Sequence, residues 1–203
     1  DATVFEAVAM GIGGNNYYKN CYVDLKETCL RSETTVKVFD QMRKLQSYTD
    51  EGSPGRDWNV ATGMVIEGKA GFQIMGDWAK GEFTAAGKVP GVDYYCSPTP
   101  SNNGYLYNVD SFIFYKTSDP DKQEGQKLLA KLMMGKNFQK VFNLYKGSIP
   151  ARLDVPMDEF DKCAKTSNSD IKTAGASGGL VPSFAHGMAQ GNTMKAALQD
   201  IIT

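Results

Sequence analysis

The sequence is short of the residues on which most active sites depend. It holds a single histidine, His186, and four cysteines, Cys21, Cys29, Cys96 and Cys163, none of them in a Cys-x-x-Cys pair. Zinc and iron–sulfur ligation therefore have no ligand set to draw on. There is no Gly-x-Ser-x-Gly elbow, no Gly-x4-Gly-Lys-Ser/Thr run and no His-Glu-x-x-His. These absences remove the usual signatures of serine hydrolases, P-loop nucleotide enzymes and zinc proteases. Gly11-Ile-Gly-Gly14 lacks the final spacing of a dinucleotide fingerprint and follows a helical run instead of a strand, so it reads as helix-ending punctuation. No cofactor and no catalytic group are signalled.

Excess charge is missing as well. Lysine plus arginine total 22 against 23 acidic residues, a net charge of −1, which gives no electrostatic reason to expect a nucleic-acid or anionic-membrane partner. The ligand expected of such a chain is neutral or small. No apolar run approaches the roughly 20 residues that span a bilayer, and no basic segment followed by an apolar one opens the chain. The first residue is aspartate instead of methionine, so the sequence is expected to begin after processing or inside a longer precursor. At 203 residues it can form one domain with a substantial core, or one lobe and part of another.

An even cysteine count without metal spacing reads as disulfides in an oxidising compartment, and four cysteines allow three pairings. On one straight helix Cys21 and Cys29 would lie about 12 Å apart by rise alone, too far to bridge. Either they stay free or the helix breaks between them.

What is present is mixed α/β patterning, helix-rich with few, short strands and no internal repeat. Val4 to Met10 reads as an apolar helix ending at the glycines. Thr34 to Tyr48 is a clearer one, with Val36, Phe39, Met42 and Leu45 at three-residue spacing behind a Ser/Thr cap. Asp57 caps the expected helix Trp58 to Glu67. Ser118-Asp-Pro-Asp121 starts another through Met134, Asn137 to Tyr145 follows, and Gly147 ends it. Helices are also expected over Asp158 to Thr173 and, after a Gly/Ser hinge at Gly175 to Gly179, over Met188 to Ile202. Phe72 to Met75, Val92 to Cys96 and Ser111 to Tyr115 read as strands. The Gly, Pro, Ser and Asn-rich stretch from Ala86 to Gly104 is a candidate crossing between lobes.

Gly71-Phe-Gln-Ile-Met-Gly-Asp-Trp-Ala-Lys-Gly-Glu-Phe83 carries the most functional information. A buried strand stops at Gly-Asp, Asp77 can cap the helix that begins near Trp78, and the indole is then presented at the strand's carboxyl end, where open α/β folds keep ligands. The alternative is a core tryptophan packed under the helix. Asn108, Asp110, Lys146 and His186 also stand beside loops and helix ends. Each has a bland reading: loop solvation, a helix C-terminal charge, a satisfied histidine. Together with Trp78 they meet the needs of a sugar site, in which an aromatic face covers the C–H face of a pyranose and polar groups bond its hydroxyls. Two enzymatic arrangements compete: Ser183 or Asp110 with His186 as a triad, and Asp77 with Glu82 as a glycosidase pair, although residues five apart on one helix do not face each other across a bond.

Asp57-Trp-Asn-Val-Ala-Thr-Gly-Met64, the Gly71 to Phe83 block, Asn108-Val-Asp-Ser-Phe112, Asn143-Leu-Tyr-Lys-Gly-Ser-Ile-Pro-Ala-Arg152 and Leu180-Val-Pro-Ser-Phe-Ala-His186 resemble, in order, the periplasmic glucose/mannose-binding proteins of bacterial ABC sugar importers. The resemblance implies a periplasmic-binding-protein-like (type II) α/β fold whose two lobes close on a sugar. It implies a non-catalytic receptor that binds glucose or a related hexose in the periplasm and delivers it to a membrane permease. Trp78 would stack on the sugar, and Asp110, Lys146 and His186 would bond its hydroxyls. Cys96 and Cys163 fall where related proteins carry a cysteine pair, and a bridge there would be worth about 4 kcal/mol in the chain-entropy model. At 203 residues the chain resembles only the latter half of such a protein, an incomplete two-lobe architecture. Residues 1–100 and 157–203 would belong to the C-terminal lobe, and 101–156 would cross and return to the N-terminal lobe. The missing N-terminal half would be a partner. A carbohydrate-active enzyme fragment and a ligand-free structural fragment are the competing classes.

Overall fold

The computed structural model describes residues 1–101, 104–189, 196–198, 200 and 201. Among them eight α-helices surround one short parallel sheet. The helices are α1 (Ala2–Tyr18), α2 (Glu27–Leu30), α3 (Glu33–Gln46), α4 (Trp58–Ile66), α5 (Lys80–Ala85), α6 (Pro120–Met133), α7 (Lys136–Lys146) and α8 (Lys162–Ala176). The sheet pairs β1 (Tyr105–Tyr107) with β2 (Leu180–Pro182) in parallel, Leu106 opposite Val181.

Local signals place several helix ends. Ser32 accepts the Thr35 amide at the start of α3, and Asp119 accepts the Asp121 and Lys122 amides ahead of Pro120 in α6, each satisfying donors that a helix start leaves open. Gly147 takes φ 87° and ends α7 in the left-handed conformation that glycine adopts without cost. Asp57 stands at the N-cap of α4 without a side-chain bond. α8 starts four residues later than the sequence indicates, at Lys162, because Asp161 caps it by accepting the Ala164 amide.

Other expectations are corrected. α1 does not stop at Gly11; it runs to Tyr18 and kinks at Gly14 (φ 72°, ψ −176°), because packing of its aromatic residues outweighs the poor helix propensity of glycine. A π-turn at Lys19–Val23 and Leu25 at φ 53° then break the chain direction. That break brings Cys21 and Cys29 into a disulfide with Cα atoms 5.2 Å apart. On α3 the buried residue is Val38, and Val36 is exposed. Phe72 to Met75 is not a strand and Phe72 is 96% exposed. Val92 to Cys96 carries only one bridge, Pro90 to Tyr94, and Ser111 to Tyr115 is unpaired coil. A strand needs a partner as well as a pattern, and no strand among the described residues lies beside these segments. Residues 196–198, 200 and 201 are helical; the rest of the expected helix from Met188 to Ile202 beyond Ala189 lies outside the described residues.

The main core is aromatic. Phe5 of α1, Tyr18, Tyr22 and Phe184 are fully or nearly fully buried and their rings meet at centroid distances of 5.1 to 6.1 Å, in the edge-on and offset arrangements that ring quadrupoles favour. Val38, Val181 and Leu198 complete it. A smaller cluster of Val155, Phe160 and Ala164 packs under Leu144 and Ile149. Cys96 and Cys163 join the loop before β1 to α8, with Cα atoms 5.7 Å apart.

Candidate functional site

The corner that carries Trp78 is built without the expected strand. Gly76 precedes a single 3-10 turn, Asp77–Ala79, and α5 follows. The indole folds back over Gly76, where an added Cβ would sit 2.1 Å from Trp78 Cζ3, so only glycine fits beneath the ring. Asp77 does not cap the helix; Gly76 is the N-cap of the 3-10 turn and Ala79 that of α5, and Asp77 Oδ2 accepts the Ile149 amide at 3.0 Å. That bond ties the corner to the loop after α7. A second tie is steric, because a Cβ on Gly147 would lie 2.5 Å from the Gly81 amide nitrogen. Lys80, almost buried, reaches across to Asp161 at 2.7 Å and fixes α5 to the start of α8.

The four polar and aromatic residues expected at the site come together in two linked pairs. Trp78 meets His186 edge to face, ring centroids 5.0 Å apart and planes at 84°. Lys146, the last residue of α7, forms an ion pair with Asp110, and Asn108 Nδ2 donates to the other Asp110 oxygen at 3.3 Å. Lys146 beside Asp110 holds its carboxyl below the usual range, and His186 contributes in the same direction, which sets the two pairs in one electrostatic neighbourhood. The Lys146 ammonium also stands 5.9 Å from the Phe142 ring centroid, within cation–π reach.

Trp78, Asp77, Asn108, Asp110, Lys146 and Ser148 line a cleft of about 1190 Å³, room for a monosaccharide with water to spare. His186 is not on its wall. The imidazole stands behind Trp78, and its Nε2 is hydrogen-bonded to Thr3 Oγ1 at 3.2 Å. Asp77 is pushed up from the ordinary carboxylate value by removal from water, against the pull of the Ile149 amide, Ser148 and the Lys80 and Lys146 charges.

The turn that carries His186 rests on a residue that no sequence signal picks out. Glu6 of α1 is 3% exposed and accepts from Ser183 Oγ at 2.9 Å, Tyr18 Oη at 3.0 Å and the Ala185 amide at 3.3 Å. Burial pushes its carboxyl up while these donors pull it down. Ser183 Oγ in turn accepts the His186 amide at 3.1 Å, and Tyr18 Oη accepts the Phe184 amide. The Ser183 hydroxyl is thus committed to Glu6 and the turn, not poised as a nucleophile. Glu82 is exposed on α5 while Asp77 faces Ile149, so these two carboxylates do not form a glycosidase pair. No group of three histidine, cysteine or acidic side chains is placed to hold a metal among the described residues.

Trp78, Asn108, Asp110 and Lys146 thus share one wide cleft. The chain belongs to the bacterial extracellular solute-binding protein family, which it matches over residues 4–173. It is 46% identical over 204 aligned positions to a probable sugar-binding periplasmic protein of Brucella suis, covering 100% of this chain and 48% of the relative. It is 32% identical to an uncharacterized ABC transporter extracellular-binding protein of Pyrococcus horikoshii, covering 98% of this chain and 44% of that one. A xylose/arabinose-binding protein of Haloferax volcanii is 28% identical over 76% of this chain and 33% of its own length. The chain spans about half the length of the curated relatives it matches.

Proposed function

We propose that the chain is part of the sugar-binding component of an ABC importer, a non-catalytic periplasmic receptor that takes up glucose or a related hexose and hands it to a membrane permease. The observation that carries this reading is the convergence of Trp78 with the Asp110–Lys146 pair on one cleft, with His186 directly behind the indole. The indole offers an apolar face to the ring C–H groups. The charged pair offers an acceptor and a donor to neighbouring hydroxyls, and charge-assisted hydrogen bonds are the stronger kind. His186, in contact with the indole, is assigned a bond to a further hydroxyl.

The second wall of the site is assigned to an N-terminal half of the same protein, within a type II two-lobe architecture. Residues 101–156 are read as the segment that crosses to that lobe, and residues 1–100 and 157–203 as the C-terminal lobe. The 111–115 segment supports this division. Phe112, Ile113, Phe114 and Tyr115 are 40 to 79% exposed, and such a continuous apolar run suits a strand inside a sheet covered on both faces. Leu128, Leu129 and Leu132 of α6 are exposed too, and an apolar surface of this kind marks a covered interface.

Isothermal titration of the complete protein with glucose, mannose, galactose and xylose tests the reading. Saturable binding of a hexose that Trp78→Ala weakens sustains it. Absence of binding to every monosaccharide overturns it.

A further inference from the structure

We propose that Glu6 is a positioning residue, which through Ser183 and Ala185 sets where the 183–186 turn holds His186 against Trp78. Its bearing on ligand affinity rests on the sugar-site reading above. The carboxylate is buried in an aromatic core, a costly place for an ionisable group unless its oxygens are satisfied. Every contact it makes is with a donor: the Ser183 hydroxyl, the Tyr18 hydroxyl and the Ala185 amide. An apolar side chain at this position would leave those donors unpaired in the same core.

The geometry couples Glu6 to the site and not only to the core. The Ser183 hydroxyl that donates to Glu6 accepts the backbone amide of His186, so one atom joins the carboxylate to the residue beside Trp78. Thr3, three residues before Glu6 and on the same face of α1, bonds the imidazole itself. One helix face therefore holds both the backbone and the ring of His186. Phe184, between the two, is locked among Phe5, Tyr18 and Tyr22, and Gly187 at φ 74° closes the turn. Supporting contacts of this kind decide whether a binding group stands in place or merely nearby.

The test uses the complete protein and the imidazole 1H–15N resonance that disappears in His186→Gln. Glu6→Gln keeps the shape but turns an amide donor toward groups that are themselves donors. It is expected to move the His186 resonance in the sugar-free protein and to weaken sugar binding about tenfold, the effect of roughly one misplaced hydrogen bond. Ser183→Ala removes the linking hydroxyl and is expected to move the same resonance, which keeps the proposal testable should Glu6→Gln fail to fold. Val38→Ala, a cavity in the same core away from the turn, is the control and is expected to leave both readouts unchanged. An unmoved His186 resonance in Ser183→Ala, or an equal shift in Val38→Ala, overturns the positioning role. A moved resonance with unaltered affinity sustains it and overturns the part given to His186 in sugar binding, which His186→Ala tests separately.

Discussion

Trp78 and His186, far apart in the sequence, stand edge to face with ring centroids 5.0 Å apart and planes at 84°. The contact braces the indole, which on the sugar-site reading is the surface that meets the ligand. Trp78→Ala should therefore cost the stacking surface and the brace together, weakening hexose binding on the order of thirtyfold, or about 2 kcal/mol. Trp78→Phe should recover part of it. In the complete protein, sugar addition should change the tryptophan emission with the same midpoint as calorimetry, and that change should be lost in Trp78→Phe and kept in Trp58→Phe. A binding-linked signal that survives Trp78→Phe but vanishes in Trp58→Phe contradicts the assignment.

The Asp110–Lys146 pair gives a second expectation. Asp110→Asn keeps a hydrogen-bonding side chain but removes the charge, and Lys146→Ala leaves the carboxylate without its partner; each is expected to weaken binding at least tenfold. The pH dependence follows from the direction of the Asp110 shift. Its folded pKa lies below the ordinary value, so the pair is intact above that value and is lost only as the pH falls through the depressed one. In a His186→Gln background, sugar affinity should thus stay level from neutrality to about pH 5, measured by titration across that range.

Asp77 titrates the other way. Its folded pKa is raised, first by removal from water, so its favourable contribution to stability is fully present below the unfolded value and is lost as the pH rises through the folded one. Asp77→Asn can still accept the Ile149 amide through its carbonyl oxygen. It should be no less stable than the parent near neutrality, and the difference between the two should shrink toward acid pH. Melting curves from pH 4 to pH 8 check this. A variant markedly less stable at pH 7 would mean that the charges of Lys80 and Lys146 outweigh burial.

How far the sequence reveals this structure depends on whether a signal is local. The starts of α3 and α6 and the end of α7 follow from Ser32, Asp119 and Gly147 acting on their own neighbours. The strands do not. β1 and β2 are three residues each and pair across more than seventy positions, while the apolar run at Phe72 to Met75 has no strand beside it and stays coil. Trp78, Asp110, Lys146 and His186 can be singled out because polar and aromatic residues at element ends are conspicuous, and the structure brings them into the two pairs described above. Glu6 cannot, since a single glutamate in an apolar helix looks the same whether it meets water or three buried donors. The break that joins Cys21 to Cys29 needs the π-turn and the left-handed Leu25, neither of which composition announces.

The two disulfides are expected to contribute unequally. The Cys96–Cys163 bridge spans a separation of 67 residues and the Cys21–Cys29 bridge one of 8. In the chain-entropy model these loops are worth about 4 and about 2.5 kcal/mol. Paired serine replacements should reproduce that order in denaturant midpoints, and added reductant should have no further effect on the double-bridge variant. Reversal of the order would show that the tyrosine-rich turn around Cys21 depends on its bridge more than loop length implies.

The exposed apolar surface leads to the last expectation. On the two-lobe reading this chain supplies one wall of the site, and affinity in a closing cleft comes from enclosing the ligand between two surfaces and stripping its water. The 203-residue chain alone should bind glucose weakly or not at all, and low-micromolar binding by calorimetry would refute this. The chain alone should also bind a hydrophobic dye at the face formed by Phe112, Ile113 and Tyr115, which are 61, 77 and 79% exposed. Replacing all three by serine should remove that signal in the isolated chain. In the complete protein the same replacements should destabilise instead, because there each side chain would leave a buried contact empty. Dye binding that persists undiminished in the complete protein would show that this face is not covered by the other half, and the two-lobe assignment of residues 101–156 would fall with it.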